Sequence, residues 1–168
     1  MTSLFVIGGA RSGKSRYAQQ RAESLGGRLA YIATAQALDP EMTERIARHR
    51  ADRGQSWHTI EAPIDLAPAI ARASGQYDVI LVDCLTLWLS NLICADLSVD
   101  RAFEGLAHAV SSCASPLTMV ANEVGLGIVP DNALARRFRD AAGRLNQRVA
   151  GMAEEVVLVA AGLPCRLK

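Results

Sequence analysis

The octapeptide from Gly8 to Ser15 reads GGARSGKS and directly follows the apolar run Leu4-Phe5-Val6-Ile7. It fits the pattern G-x-x-x-x-G-K-[S/T] at every required position, and the run before it has the length of a strand. A glycine-rich turn between a strand and a helix lets backbone N–H groups converge on phosphate oxygens, and the helix N-terminus adds the positive end of its dipole. In this reading Gly8, Gly9, Ala10, Arg11, Ser12, Gly13, Lys14 and Ser15 wrap a nucleoside triphosphate. Lys14 then reaches the β- and γ-phosphates, and Ser15 ligates Mg²⁺. The plainer alternative is a glycine-rich turn carrying a surface lysine, which the strand–loop–helix context disfavours.

A strand of this kind needs neighbours, and the sequence supplies them. Apolar runs of strand length recur at Leu4 to Ile7, Leu29 to Ala33, Trp57 to Ile60, Val79 to Val82, Leu117 to Ala121 and Val156 to Ala160. Most are continuous rather than alternating, as expected for strands covered on both faces. Helical patterns lie between them. The clearest runs from about Asn132 to Met152, where Leu134, Phe138, Ala141, Leu145, Val149 and Met152 recur at three- and four-residue steps, with Pro130-Asp131 as its expected start and N-cap. The alternation predicts an α/β three-layer sandwich of the P-loop NTPase type with a mainly parallel sheet, ligands binding at the carboxyl ends of the strands. With no repeat, low-complexity tract or linker, one domain over residues 1–168 is expected.

Composition narrows the partners. Lys and Arg total 18 against 17 Asp and Glu, a formal net charge of +1, so nothing predicts a nucleic-acid or anionic-membrane footprint, and phosphate affinity must be local. Half of the residues are hydrophobic, enough for a core without disulfides. Cys84, Cys94, Cys113 and Cys165 form no C-x-x-C pair and are read as reduced, mostly buried thiols of a cytoplasmic protein. No basic segment precedes Leu4, which disfavours a signal peptide. The apolar stretch Val79 to Leu97 contains Asp83 and is broken by Ser90-Asn91, so it is read as a buried strand running into a mostly buried helix, not as a membrane span.

Val79 to Asp83, four apolar residues ending in a carboxylate, has the form of a Walker B strand whose acid holds Mg²⁺. Alone that signal is weak; beside the phosphate loop it makes Asp83 the second metal-site candidate. The reaction is a separate question, because motors, switches and kinases share the loop. No Asn-Lys-x-Asp guanine-reading motif is present, and the charge balance does not suit a helicase. In Glu41 to Glu61, Met42, Ile46 and His49 share one helix face while Arg45, Arg48, Arg50 and Arg53 crowd the imidazole. That neighbourhood keeps the imidazole neutral and available to attack phosphorus. From the residues alone, a structural histidine closing an apolar stripe is the favoured reading.

The combination of GGARSGKS, Ile32-Ala33-Thr34-Ala35, HRADR with Trp57 and Glu61, and NEVGLGIVPDNALARRFRDAAGRLNQRVA resembles the bifunctional adenosylcobinamide kinase and adenosylcobinamide-phosphate guanylyltransferase family of cobalamin biosynthesis, essentially end to end. The resemblance implies a RecA-like domain that phosphorylates adenosylcobinamide with ATP or GTP and then transfers GMP from GTP to the product. It implies that His49 carries GMP covalently, and that Ala33, Thr34, Ala35, Arg50, Ala51, Asp52, Arg53, Glu61 and Asp83 join the phosphate loop in holding nucleotide. It further implies a homotrimer. Two positions depart from the pattern: Gly54 replaces the usual proline, and Ala62 replaces an acid that often follows Glu61. A plain phosphate-loop kinase or nucleotide-regulated module, with His49 structural, is the competing class.

Other residues are read more cautiously from pattern. His58 and His108 are taken as structural or solvated, and Trp57 as core or site wall, with guanine stacking as its sharper role. Glu123, at a strand's carboxyl end, is balanced between orienting the acceptor or a metal and being a surface acid. Arg136, Arg137, Arg139, Arg144 and Arg148 form a solvated or subunit-contact face, with corrinoid contact as the alternative.

Overall fold

A computed structural model describes residues 2–37, 40–53 and 56–168; within 40–53 the side chains described are those of Pro40, Met42, Thr43, Glu44, Ile46, Ala47 and Ala51. In chain order the elements are β1 (Ser3–Gly8), α1 (Lys14–Glu23), β2 (Leu29–Ala33), α2 (Pro40–Arg53), β3 (Trp57–Glu61), α3 (Leu66–Ala73), β4 (Val79–Asp83), α4 (Leu85–Cys94), α5 (Val99–Ser112), β5 (Leu117–Asn122), α6 (Ala133–Met152), β6 (Glu155–Ala160) and β7 (Leu163–Arg166). All six expected strands are present. The seventh, β7, was not expected.

The strands form one sheet in the order β3-β2-β4-β5-β1-β6-β7, parallel except for the last pair. β1 therefore lies between β5 and β6, with Gly8 registered against Asn122 and Val159. The continuous apolar runs follow from burial on both faces. Phe5 and Ile7 enter one core with Ile32, Ile80, Val82, Met119 and helices α3 to α6, whereas Leu4 and Val6 enter the other with Tyr31, Trp57, Leu81, Val157 and the small residues Ala18 and Ala22 of α1. β7 is exposed at all four residues and pairs only with β6; Pro164 and the absence of alternation left no strand signal.

One helix end corrects the sequence reading. The N-cap of α6 is Asn132, whose Oδ1 accepts from the Leu134 and Ala135 N–H groups at 2.8 and 3.1 Å, not Pro130-Asp131. Asn is as good a cap as Asp, and only the backbone decides which residue stands at the helix entry. Val79 to Leu97 is a buried strand followed by the largely buried α4, as expected. No described helix is long and apolar enough to cross a membrane. All four cysteines are free, but only Cys84 and Cys113 are buried; Cys94, at the end of α4, and Cys165, on β7, are exposed.

Candidate active site at the carboxyl ends of the strands

The phosphate loop is shaped by its glycines. Gly8 is closed in: a Cβ there would meet Val159 O in direct overlap and Ser12 Oγ at 2.6 Å, so no larger residue fits without moving backbone. Gly13 has φ +92°, a left-handed conformation that L side chains avoid, and a Cβ there would stand 3.3 Å from Gly162 Cα. The β6–β7 turn thus abuts the loop, and the Gly162 N–H donates to Ser12 O at 2.8 Å. Ser12 Oγ, buried over Gly8, has no hydrogen-bond partner among the described residues. Gly9, Ala10 and Arg11 are exposed at the loop's crest, where their amides are open to a ligand.

Lys14 and Ser15 begin α1. Lys14 is buried, and its ammonium donates to Gly9 O at 3.0 Å, arched over the loop. Ser15 is half-buried. α1 is held against the sheet by Arg21, which makes two bonds to the Glu155 carboxylate at 3.0 and 2.7 Å and a third to Tyr17 Oη at 2.8 Å. The Arg21 bond holds Glu155 below its ordinary carboxylate pKa, and the Glu155 bond raises that of Arg21.

Asp83 ends β4, two strands from β1, with β5 between them. The residue after it is fixed by Thr34, which is fully buried: Thr34 Oγ1 donates to Cys84 O at 2.7 Å and accepts from the Cys84 N–H at 2.8 Å. Burial pushes the Cys84 thiol up to about 11, with the Asp83 charge adding to the effect, so this cysteine is an inert wall and not a nucleophile. Asn91 on α4 then ties three elements together, its Nδ2 donating to Thr34 O at 2.8 Å and Pro63 O at 2.9 Å. Thr86 Oγ1 accepts from the Asn122 N–H at 2.6 Å, and Asn146 Nδ2 donates to Asn122 O at 3.3 Å. These three polar side chains position the site, and pattern reading passed over them. A signal existed for one: Asn91 interrupts an otherwise apolar helix, and a polar group there needs partners.

The remaining candidates divide. Ala33 and Ala35 flank Thr34 at the β2 exit, and Glu61 ends the neighbouring β3, so these positions do converge on one edge. Ala62 is buried and donates its N–H to Ala33 O at 2.8 Å, so a small apolar residue fills this position beside Glu61. His49, Arg50, Ala51, Asp52 and Arg53 lie on α2 as the spacing predicted. The side chains of His49, Arg45, Arg48, Arg50, Asp52 and Arg53 lie outside those described, as does Gly54 altogether. Trp57 is a core residue: it is buried, its Nε1 donates to Glu23 Oε1 at 2.9 Å and it meets Tyr31 edge-on, which leaves no ring face for guanine. His58 stacks on Tyr77, and His108 is exposed. Glu123 is half-buried and accepts from the Gly125 N–H at 2.6 Å, so it shapes its own loop. Arg136 likewise donates to Pro130 O and Asp131 O.

Among the described residues no cluster of three His, Cys, Asp or Glu side chains is placed to hold a metal. That donor poverty suits Mg²⁺, which keeps waters and substrate phosphates in its shell and takes only one or two protein oxygens. A serine hydroxyl at the head of α1 and a carboxylate at the end of β4 are donors of the right hardness.

The comparisons with known proteins decide the family. Residues 4–167 match the model of cobinamide kinase / cobinamide phosphate guanyltransferase. The chain belongs to that family. It is 46% identical over 97% of its length, and 95% of the relative's, to the bifunctional adenosylcobalamin biosynthesis protein CobP of Pseudomonas aeruginosa. It is 40% identical over 98% of its length, and 99% of the relative's, to the corresponding protein CobU of Salmonella typhimurium. This family member is therefore a bifunctional cobinamide kinase and cobinamide phosphate guanylyltransferase of adenosylcobalamin biosynthesis. Among solved structures it resembles the flagellar accessory protein FlaH of Methanocaldococcus jannaschii, with TM-score 0.57, 14% identity and 99% of this chain and 78% of that one covered. An ATPase of a type III secretion system matches with TM-score 0.57 at 9% identity, covering 98% and 56%. These two likenesses concern the fold: an α/β domain with a mainly parallel sheet, as the sequence predicted.

Proposed function

We propose that one domain spanning residues 1–168 performs both reactions at the carboxyl edge of the sheet, the phosphate loop serving phosphoryl transfer and His49 serving nucleotidyl transfer. The observation that carries this reading is the convergence on that edge of the glycine-shaped loop, the Thr34-braced Asp83 strand, the exit of β2, which leads into α2, and the exit of β3 at Glu61.

In the kinase step the loop amides and the Lys14 ammonium bind the triphosphate and offset charge spreading over the γ-phosphoryl group as the acceptor hydroxyl attacks in line. Ser15 and Asp83 would hold Mg²⁺, which supplies further positive charge at the β- and γ-oxygens. In the guanylyl step a neutral His49 imidazole nitrogen attacks the α-phosphorus of GTP. A nitrogen–phosphorus bond forms and the bond to the β-phosphate oxygen breaks, so pyrophosphate leaves. The acceptor's phosphate oxygen then attacks the same phosphorus and regenerates the imidazole, giving adenosylcobinamide-GDP. Ala33, Ala35, Glu61 and the Arg50–Arg53 stretch are the nucleotide contacts of this second step, and Thr34, fully buried between Ala33 and Ala35, braces them from beneath instead of touching the nucleotide. A homotrimer, supported by the family resemblance, and a cytoplasmic setting, supported by four unpaired thiols, complete the reading.

The test is incubation with Mg²⁺ and GTP labelled at the α-phosphorus, then denaturing electrophoresis of wild type and His49→Ala, with γ-labelled GTP alongside. Acid-labile label from the α but not the γ position, absent in the variant, is the expected result. Folded, kinase-active wild type that retains no α-label would overturn the covalent step and leave His49 structural.

A further inference from the structure

The segment between β5 and α6 is the part of this edge that the nucleotide chemistry does not use. It begins at the phosphate loop: Asn122 is registered against Gly8, and the Glu123 N–H donates to Gly8 O at 3.0 Å. It then carries Leu126, Ile128 and Val129 into solvent at 89%, 97% and 60% exposure, with Leu134 on the first turn of α6 exposed at 57%. Single exposed apolar residues need no account, but a run of them on one loop marks a contact surface. The loop is also built. Glu123 Oε1 fixes the Gly125 N–H at its start, and Arg136 Nη1 grips Pro130 O at 2.9 Å and Asp131 O at 2.6 Å at its end. Between Glu123 and Asp131 there is no ionisable side chain.

Resting on the reading above, we propose that this loop is the docking surface for the ring of the corrinoid acceptor, with Leu126, Ile128 and Val129 as its contacts. The acceptor is a large macrocycle whose faces bear alkyl groups and whose rim bears neutral amides, and its reacting hydroxyl ends a short side chain. The hydroxyl must reach the γ-phosphate inside the loop of Gly8 to Ser15 while the ring stays outside. An uncharged apolar platform rooted one strand away meets both demands: it complements the alkyl faces and amide rim of the ring without competing for the phosphates, and it is continuous with the site where the hydroxyl reacts. Anchoring at both ends presents the side chains without an ordering cost at binding.

The double variant Leu126→Ser/Ile128→Ser tests this against wild type and the conservative variant Ile128→Leu. Four quantities are measured: the adenosylcobinamide KM and kcat of the kinase step, acceptor-independent uptake of α-label from GTP, mass by sedimentation, and thermal midpoint. The expected result is a KM raised by about 10-fold or more, with kcat within about twofold, unchanged label uptake and mass, and a wild-type KM restored in Ile128→Leu. An unchanged KM overturns the proposal. A fall in mass, whatever the KM, also overturns it and assigns the loop to contact with a second copy of the chain. Failure of wild type to take up α-label strikes the guanylyl-histidine reading instead, and the KM of the kinase step still decides the loop.

Discussion

The phosphate loop and the β5–α6 loop leave adjacent strands at the same level of the sheet, yet they are constructed in opposite ways. The first is closed from outside itself: Val159 and Gly162, from the far end of the chain, block the space behind Gly8 and Gly13, and Ser12 O is held by Gly162. The second is closed by its own neighbours, Glu123 and Arg136, and turns its apolar residues outward. The difference teaches a division of labour. A loop that must stabilise a charged transition state has its amides set in advance by rigid surroundings, whereas a loop that receives the alkyl face of a bulky ligand needs surface more than field.

The largest expected break in that comparison is Lys14→Ala. It removes the charge arched over the first loop while leaving the second intact, so phosphoryl transfer should fall about 10²- to 10³-fold with little change in acceptor KM. Steady-state kinetics with varied adenosylcobinamide checks it; a rise in acceptor KM as large as the loss in kcat would show that the two loops are not separable.

Thr34→Val comes next. The two side chains are nearly the same shape, but valine leaves the buried Cys84 N–H without its partner, while Cys84 O keeps the Trp88 N–H, and the orphaned donor costs about 1–3 kcal/mol. Urea unfolding measures that loss, and it should come with reduced kinase activity because the chain leaving Asp83 is no longer braced. Full activity at reduced stability would confine Thr34 to structure.

The smallest effect is expected from Glu155→Gln, which loosens α1, and hence the loop ahead of it, from β6. Because the folded carboxylate titrates below its ordinary value of 4.5, its contribution is fully present above that pH and is lost as pH falls through the depressed folded value. Wild type should therefore exceed the variant by on the order of 1 kcal/mol at pH 7, a figure kept small because the Arg21 side chain is 37% exposed. Urea unfolding should show the gap shrinking as the pH falls below 4.5. A pH-independent gap would mean that shape, and not charge, carries the contact.

How much of this was legible depended on the range of the interaction. The strands from Leu4 to Ala160, the glycine-lysine loop and the Asp83 strand end are local patterns, written in consecutive residues, and each appears where its run predicted. The Thr34–Cys84, Asn91–Pro63 and Ser12–Gly162 hydrogen bonds join residues far apart in sequence, and no periodicity announces them. β7 hid behind Pro164, and Trp57, read as core or site wall, is core, its indole bonded to Glu23. The stretch from Asn122 to Ala150 stood out by family resemblance, but which of its apolar residues point outward is a property of the folded loop alone.

The partnership of Ser12 with Gly162 has a consequence for how the protein is made. β1 is synthesised long before its neighbours β5 and β6 and before the turn that closes the phosphate loop. A nascent chain ending before residue 155 holds the whole nucleotide-binding signature without the strand that supports it. The support of the phosphate loop is therefore complete only once β6 and the turn after it have inserted beside β1, a pairing across the greater part of the chain.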